Sequence, residues 1–386
     1  MSDIGQTRTP WAAPSWLDPV LKGVRVALMS VGSLAMICGC IAVAHVVTSS
    51  LAPFLAMLLL FPLAVFATIA LHEGGHALAA RAIGMTVYRV HVGPLQLLAR
   101  RRGWRIRWKR MRPGDNAGSV IAVPNPYAAV RRQYLLLIAG GPLANLLVAA
   151  GCGVLAWHWG PGSTGGAFCT GAAVFNLAAG LINLVPSQSP SGASDGLQLL
   201  RQARPRDPDA LVDVLAELNG LSSRGVTADK LPAHRVALLA NGDGGFFHVW
   251  FTLKAAQVRG DWAEAAAMQP AFEAQVATLP APVAESWHTL IALLRCELAF
   301  SQAMAGVDEI EPVDAALTAE IDWAVPALRP RCQALMAARR GDTAAALAAL
   351  ARAQALADND VDAAMRQCER GLRAAIRQRL PVPADA

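Results

Sequence analysis

Residues 57–83 read MLLLFPLAVFATIALHEGGHALAARAI, and this stretch decides how the rest of the chain is interpreted. Its first half is apolar throughout, as in a helix that crosses a lipid bilayer. Its second half carries His72, Glu73 and His76 in the spacing HExxH. Because positions i and i+4 share one helix face, both imidazoles can approach one metal ion, with the carboxylate beside them. Ionisable groups at the end of an apolar span are costly, so we interpret the motif as functional.

Outward from this stretch, the chain divides into charge-free and charged regions. No Asp, Glu, Lys or Arg occurs from residue 26 to 72 or from residue 133 to 194. Each interval is long enough for two helical spans. A cleaved signal peptide ending at Ala42–Ala44 is not favoured, because the polar lead and the apolar run are both too long. We predict four membrane-spanning helices, at residues 26–47, 54–83, 134–159 and 167–185.

Positive charge is concentrated between the second and third predicted spans. About a dozen Lys and Arg lie between Arg81 and Arg132, against one acid, Asp115. Such loops lie on the cytoplasmic side of a membrane. We therefore expect a multi-pass protein of the bacterial inner membrane with both termini cytoplasmic. We expect no nucleic-acid partner, because this basic segment is held between two spans.

Within the basic loop, the sequence takes on the period-two pattern of β-strands. Trp104, Ile106 and Trp108 alternate with Arg and Lys, and Arg101–Gly103 before them is typical of a hairpin turn. We predict a small β-hairpin or sheet at the membrane surface over residues 86–124, with a solvated basic loop as the alternative. Its apolar face makes Trp104 and Ile106 candidate substrate contacts.

The chain after residue 200 has the composition of a soluble protein. Gly260–Asp261 and Gly341–Asp342 each separate two Ala-rich segments, as in tetratricopeptide-like helical hairpins, although an irregular helical bundle fits as well. Such a domain could bind a substrate's tail, a partner protein or a second copy of the chain. The predicted domains are a cytoplasmic N-terminal segment (1–25), an all-α membrane domain with the small sheet (26–200) and a soluble α-helical domain (201–386).

A catalytic zinc ion needs a third protein ligand and one open position. Asp195 follows the last predicted span, and the topology places it at the same membrane depth as His72 and His76. Asp115 is a rival, but its Pro-Gly-Asp-Asn context is typical of an ordinary turn. The seven cysteines include no CxxC pair and indicate no disulfide framework.

Three segments resemble, in the same order, the motifs of site-2 protease-like intramembrane zinc metallopeptidases. The first is HEGGHALAA at residues 72–80, and the second is GGPLAN at residues 140–145. The third joins Asn183 and Pro186 to Asp195-Gly196. The resemblance covers about a third of the chain.

The resemblance implies one zinc ion per chain, held by His72, His76 and Asp195, with Glu73 as the general base. It also implies that Asn145 and Asn183 hold the substrate or an oxyanion. A polar amide within a span also serves simply to bond a neighbouring helix, so both interpretations stay open. The chain departs from the resemblance at Ser187–Ser194, where many relatives have a tighter loop before the aspartate.

These observations predict a zinc-dependent intramembrane endopeptidase that cleaves a membrane-spanning or membrane-anchored protein near the cytoplasmic face. One alternative is a proteolytically inactive membrane scaffold with a helical partner-binding domain, but a structural metal site would not need Glu73. The other is a metal-ion transporter. A transporter predicts polar residues through the depth of the bilayer, whereas those of this chain collect at one end.

Overall fold

The computed structural model describes residues 17–47, 52–111, 115–189, 192–204, 207–240, 244–307 and 317–381. The chain divides into two compact units, one of residues 1–99 with 104–206 and one of residues 100–103 with 207–386. We call them the membrane unit and the C-terminal unit. Most of the N-terminal segment predicted for residues 1–25, up to residue 16, lies outside the described residues, as do residues 48–51 between the first two spans.

Four long apolar helices form the frame of the membrane unit, and each is long and apolar enough to cross a membrane. They are α1 (Leu17–Val47), α2 (Ala52–Ala82), α3 (Val130–Trp159) and α4 (Thr164–Leu184). The four predicted spans are confirmed. Helix α1 begins nine residues before its predicted span, because it extends beyond the apolar run into polar sequence. In this polar part, Lys22 bonds Asp18 one turn away, at 2.7 Å.

Neighbouring membrane helices approach one another closely at glycines. In the antiparallel α1–α4 pair, a Cβ at Gly171 would lie 2.6 Å from the carbonyl oxygen of Ala35. In the α2–α3 pair, a Cβ at Gly75 would lie 2.5 Å from the Cβ of Ala144 and would overlap the backbone of Gly140. Small residues are needed at such crossings because close van der Waals packing drives helix association in lipid.

A four-stranded sheet follows α2, as the alternating sequence predicts. Its strands are β1 (Thr86–Val92), β2 (Leu95–Arg100), β3 (Gly103–Trp108) and β4 (Gly118–Val123), in the order β3-β2-β1-β4. The apolar run 87–99 forms two strands, because the chain turns at Gly93, whose φ is +52°. Buried Val87 and Val90 pack on Ala80 and Leu137, which fixes the sheet against α2 and α3. Strands β3 and β4 are the two outer strands.

A short segment with two paired strands connects α4 to the next helix. Strands β5 (Gln188–Ser189) and β6 (Gly192–Ala193) pair antiparallel, and α5 (Asp195–Ala203) follows at once. Residues 190 and 191 lie outside the described residues. This arrangement places Asp195 in the first turn of α5.

The C-terminal unit is helical, as predicted. Its helices are α6 (Leu211–Ser223), α7 (Ala233–Leu238), α8 (Gly245–Arg259), α9 (Trp262–Ala267), α10 (Gln269–Ala277), α11 (Ala281–Ala305), α12 (Ala319–Ala324), α13 (Leu328–Arg339), α14 (Thr343–Ala357) and α15 (Ala363–Arg377), with a 3-10 turn at Ala228–Lys230. Both predicted Gly-Asp turns are present. Gly260 and Gly341 adopt φ values of +77° and +76°, which favour glycine. Asp261 and Asp342 then accept hydrogen bonds as N-caps of α9 and α14.

A buried ionic network joins four helices of the C-terminal unit. Arg331 is fully buried and bonds both Glu297, at 2.6 Å, and Glu369. Lys254 lies 2.6 Å from the other oxygen of Glu297. Burial opposes ionisation, but the charges of Arg331 and Lys254 outweigh it and lower the pKa of Glu297 to about 2. The carboxylate is therefore ionised over the whole ordinary pH range.

Candidate metal centre

Two imidazoles meet on one face of α2, as the HExxH spacing predicts. The side chains of His72 and His76 are buried, and their Nε2 atoms lie 3.2 Å apart. The two rings stand nearly perpendicular, at 89°. Two ring nitrogens this close are well placed to share a cation, since a metal ion accepts both lone pairs.

The other nitrogen of each ring has an acceptor that fixes the tautomer. His76 Nδ1 lies 2.7 Å from the carbonyl oxygen of Leu137, and His72 Nδ1 lies 3.3 Å from Oδ1 of Asn145. The backbone N–H of Gly141 also lies 3.2 Å from His76 Nδ1, but the shorter contact to the carbonyl assigns the proton to that nitrogen. Both Nε2 atoms therefore carry lone pairs, which is the arrangement of metal-ligating histidines.

Asp195 completes a three-atom group with the two histidines. Its Oδ2 lies 3.0 Å from His72 Nε2 and 3.6 Å from His76 Nε2. Zinc–ligand bonds of about 2.05 Å give a tetrahedral edge of about 3.3 Å. The three separations lie close to that edge. Two nitrogens and one carboxylate oxygen make a donor set that fits a catalytic zinc ion, which takes three protein ligands and leaves its fourth position to water or substrate.

The charge state of Asp195 suits a ligand. Burial favours its neutral form, but when His72 and His76 are protonated, in the absence of an ion, their hydrogen bonds and charges outweigh burial and hold the pKa of this carboxyl below its ordinary value. The carboxylate is the form that binds a metal ion. Asp115, the rival ligand, is not part of the group of metal-ligating side chains found among the described residues.

Glu73 is buried beside the ligand group, and one of its oxygens lacks a partner. Within the described residues, Oε2 has no hydrogen-bond partner. The carboxylate faces Gly118, the first residue of β4, where a Cβ would lie 2.6 Å from Glu73 Cδ. A buried polar atom without a partner is costly, so this oxygen is suited to a water or a substrate group.

Gly141 lets α3 approach the ligand atoms. A Cβ at this position would lie 2.7 Å from His72 Nε2 and would overlap Nε2 of His76. The sequence analysis did not place Gly141 against the ligands. Its position one helical turn before Asn145 becomes informative only once the structure shows that Asn145 contacts His72.

The candidate substrate residues occupy four different environments. Asn145 is buried and contacts His72, whereas the side chain of Asn183 donates to the carbonyl oxygen of Ala179 in its own helix, at 3.0 Å. Trp104 packs in the core between α2 and the sheet, with the guanidinium of Arg81 4.9 Å from its ring centre. Ile106 is 60% exposed on the outer strand β3. The structure therefore brings Asn145 to the ligand group, whereas the contacts described for Asn183 and Trp104 are with other residues.

Residues 60–161, about a quarter of the chain, match the model of one protein family, described as peptidase family M50. The matched segment contains His72, Glu73, His76 and Asn145, and it ends before Asp195. No curated protein and no solved structure is significantly similar to the chain. The place of Asp195 in the site therefore depends on its geometry alone.

Proposed function

We propose a specific activity for this chain, from the premise that residues 60–161 match the model of peptidase family M50, the site-2 protease family. The chain is a zinc-dependent intramembrane endopeptidase that cleaves a membrane-spanning or membrane-anchored protein near the cytoplasmic face. The observation that carries the proposal is the unpartnered carboxylate oxygen of Glu73 beside a ligand group with zinc spacing.

Each residue of the site has a distinct task in this proposal. Asp195 and the two imidazoles hold the ion, one per chain. When bound, zinc supplies the Lewis acidity that activates water and polarises the scissile carbonyl. Glu73 accepts a proton from the water and donates it to the leaving amine. Asn145 keeps His72 turned toward the ion through the 3.3 Å contact of its amide oxygen.

The sheet supports a way to hold the substrate. A membrane-spanning helix hides its peptide bonds in its own hydrogen bonds, so it must unwind before water can attack. An unwound segment can add to an outer strand. Of the two outer strands, β4 starts at Gly118, against Glu73. We therefore assign the scissile segment to the edge of β4. Trp104 and Ile106, on β3, would contact a flanking part of the substrate.

The orientation and the division of labour are parts of the same proposal. The basic loop with the sheet, the metal centre and both termini lie on the cytoplasmic side, in a bacterial inner membrane. Residues 1–25, 26–200 and 201–386 act as the N-terminal segment, the protease domain and a soluble domain. The last engages the tail of a substrate, a partner or a second copy of the chain. A single cysteine at position 105 should react with an impermeant thiol reagent only after the membrane is opened.

The test of the activity uses the full chain purified in detergent with a panel of single-span membrane proteins. The wild-type chain should cut at least one of them, and Glu73→Gln should abolish cleavage while keeping zinc. Intact substrates from the wild-type chain would favour the inactive scaffold. Zinc movement into sealed vesicles without cleavage would favour the transporter.

A further inference from the structure

The loop between Pro186 and Asp195 is longer than the resemblance leads one to expect, and it is bonded to itself. Gln188 pairs with Ala193 and Ser189 with Gly192 as two short antiparallel strands. The backbone N–H of Ser194 donates to the carbonyl oxygen of Ser187, at 2.9 Å. The described residues of this loop, 187–189 and 192–194, therefore form a clasp whose two ends meet immediately before Asp195.

One hydroxyl joins the three parts of the chain that meet at this point. Ser194 Oγ donates to the carbonyl oxygen of Val185, at the end of α4, across 2.8 Å. It accepts the backbone N–H of Ser187, at 3.0 Å, and that of Leu197, at 3.3 Å. The same side chain thus caps α5 and ties its first turn to the start of the clasp and to α4.

We propose that Ser194 is a positioning residue for the metal centre, which rests on the function proposed above. Asp195 is the next residue along the chain, and its Oδ2 lies 3.0 Å from His72 Nε2. A ligand atom must be held to about half an ångström to coordinate well. The hydroxyl of Ser194 supplies this constraint at the one ligand that does not come from α2.

Residues outside the clasp also bond to it. The hydroxyl of Ser194 therefore adds to a segment that other contacts already hold in place. The guanidinium of Arg25 in α1 donates to the hydroxyl of Ser187. On the other side, the side chain of Gln198 donates to the carbonyl oxygen of Ala193, at 3.1 Å. Gly196 lies so close to Leu184 that a Cβ would overlap its carbonyl, which seats α5 on the end of α4.

The test measures the zinc affinity of the full chain in detergent, by competition with a chromophoric chelator. Removing a group that supports a metal ligand typically costs about 10- to 100-fold in metal affinity, and we expect about tenfold for Ser194→Ala. Ser194→Thr keeps the hydroxyl and should restore the wild-type affinity. Ser189→Ala is the matched control, because its hydroxyl bonds Gly192 within the clasp, at 3.0 Å. It should bind zinc like the wild type.

Several outcomes would overturn the inference. These are unchanged affinity in Ser194→Ala, an equal loss in Ser189→Ala, or failure of Ser194→Thr to restore binding. The melting temperature of the zinc-free chain is the second readout. If Ser194→Ala lowered it as much as it lowered the zinc-bound value, the hydroxyl would serve stability alone. A wild-type chain that binds no zinc would instead refute the proposed function, so the two failures are distinguishable.

Discussion

Oδ1 of Asn145 lies 3.3 Å from Nδ1 of His72, and this contact connects the metal-binding face of α2 to the middle of α3. Asn145 is almost fully buried, and its amide nitrogen has no hydrogen-bond partner within the described residues. The amide oxygen is therefore the part of this side chain that contacts the ligand group. It keeps the proton of His72 on Nδ1, which leaves the lone pair of Nε2 available to a metal ion.

Asn145→Ala should consequently weaken zinc binding by about tenfold, since outer partners of ligating histidines contribute to metal affinity on this scale. Asn145→Asp retains an acceptor and should bind zinc more tightly than the alanine variant. Asn176→Ala is the control, because this buried amide donates to Ala172 in its own helix. If the Asn145 and Asn176 variants bound zinc with equal affinity, Asn145 would contribute to helix packing and not to metal binding.

The third ligand can be identified by comparing two aspartates. Asp195→Ala should lose most of the bound zinc, because the ion would keep only two protein ligands. Asp115→Ala should retain it, because Asp115 is outside the ligand group. Metal analysis of both purified variants decides between them. If only the Asp115 variant lost zinc, the third ligand would be Asp115, in the loop before β4.

Gly141 and Gly151 offer a matched pair on the same helix. A Cβ at Gly141 would press on the ligand nitrogens, whereas a Cβ at Gly151 would meet nothing within 4 Å. Overpacking costs about 1–3 kcal/mol, which corresponds to about a 5- to 150-fold loss of zinc affinity if it falls on the ligands. We expect this loss in Gly141→Ala and none in Gly151→Ala, as measured by chelator competition. Similar affinities in both variants would contradict the close approach of α3.

The two outer strands make different predictions for substrate contact. Adjacent strands lie about 4.8 Å apart, so β3 lies about 14 Å from β4. A photo-crosslinking residue at Ser119, next to Gly118, should capture the scissile segment of a bound substrate in the Glu73→Gln background. The same residue at Ile106 should capture flanking sequence. Mass spectrometry of the adducts locates each crosslinked site. If the scissile segment were crosslinked only at position 106, the substrate would bind β3 instead of β4.

The C-terminal unit should lose stability in acid through Glu297. Its pKa in the folded chain, about 2, lies below the ordinary value of 4.5, so the folded state holds fewer protons there than the unfolded state. The stabilisation is complete above pH 4.5 and disappears as the pH falls toward 2. Hydrogen exchange of α11, corrected for its intrinsic pH dependence, should show this loss. Glu297→Gln should be less protected at pH 7 and respond less to acid.

Sequence alone predicted the parts of the molecule that depend on local pattern. Charge-free runs predicted the four spans, and the HExxH spacing predicted two neighbouring imidazoles. The predicted membrane depth placed Asp195 near the histidines, although the conformation of the loop before it could not be predicted. The turn at Gly93 was missed, because an apolar run does not reveal where a strand reverses. Strand order was also beyond reach, since which edge lies beside Glu73 depends on packing against α2.

The support given by Ser194 and Gly141 could not have been found in this way. The hydroxyl of Ser194 acts on atoms of Val185 and Leu197 that only the folded loop brings together. The importance of Gly141 comes from a crossing of two helices, and many glycines in spans have no such neighbour. Both effects belong to tertiary structure, which period and composition do not encode.

The ionic network around Arg331 determines where this protein can be cut. Its members come from α8, α11, α13 and α15, so a chain that ends between α13 and α15 loses Glu369 and leaves the buried Arg331 without one of its two carboxylate partners. Leaving a buried charge without its partner costs about 3–5 kcal/mol, a large part of the stability of an ordinary domain. Trimming from the carboxyl end is therefore not tolerated once it reaches α15. A protease or a genetic deletion that enters α15 should remove the whole C-terminal unit, and a cloning boundary belongs before residue 207 or after α15.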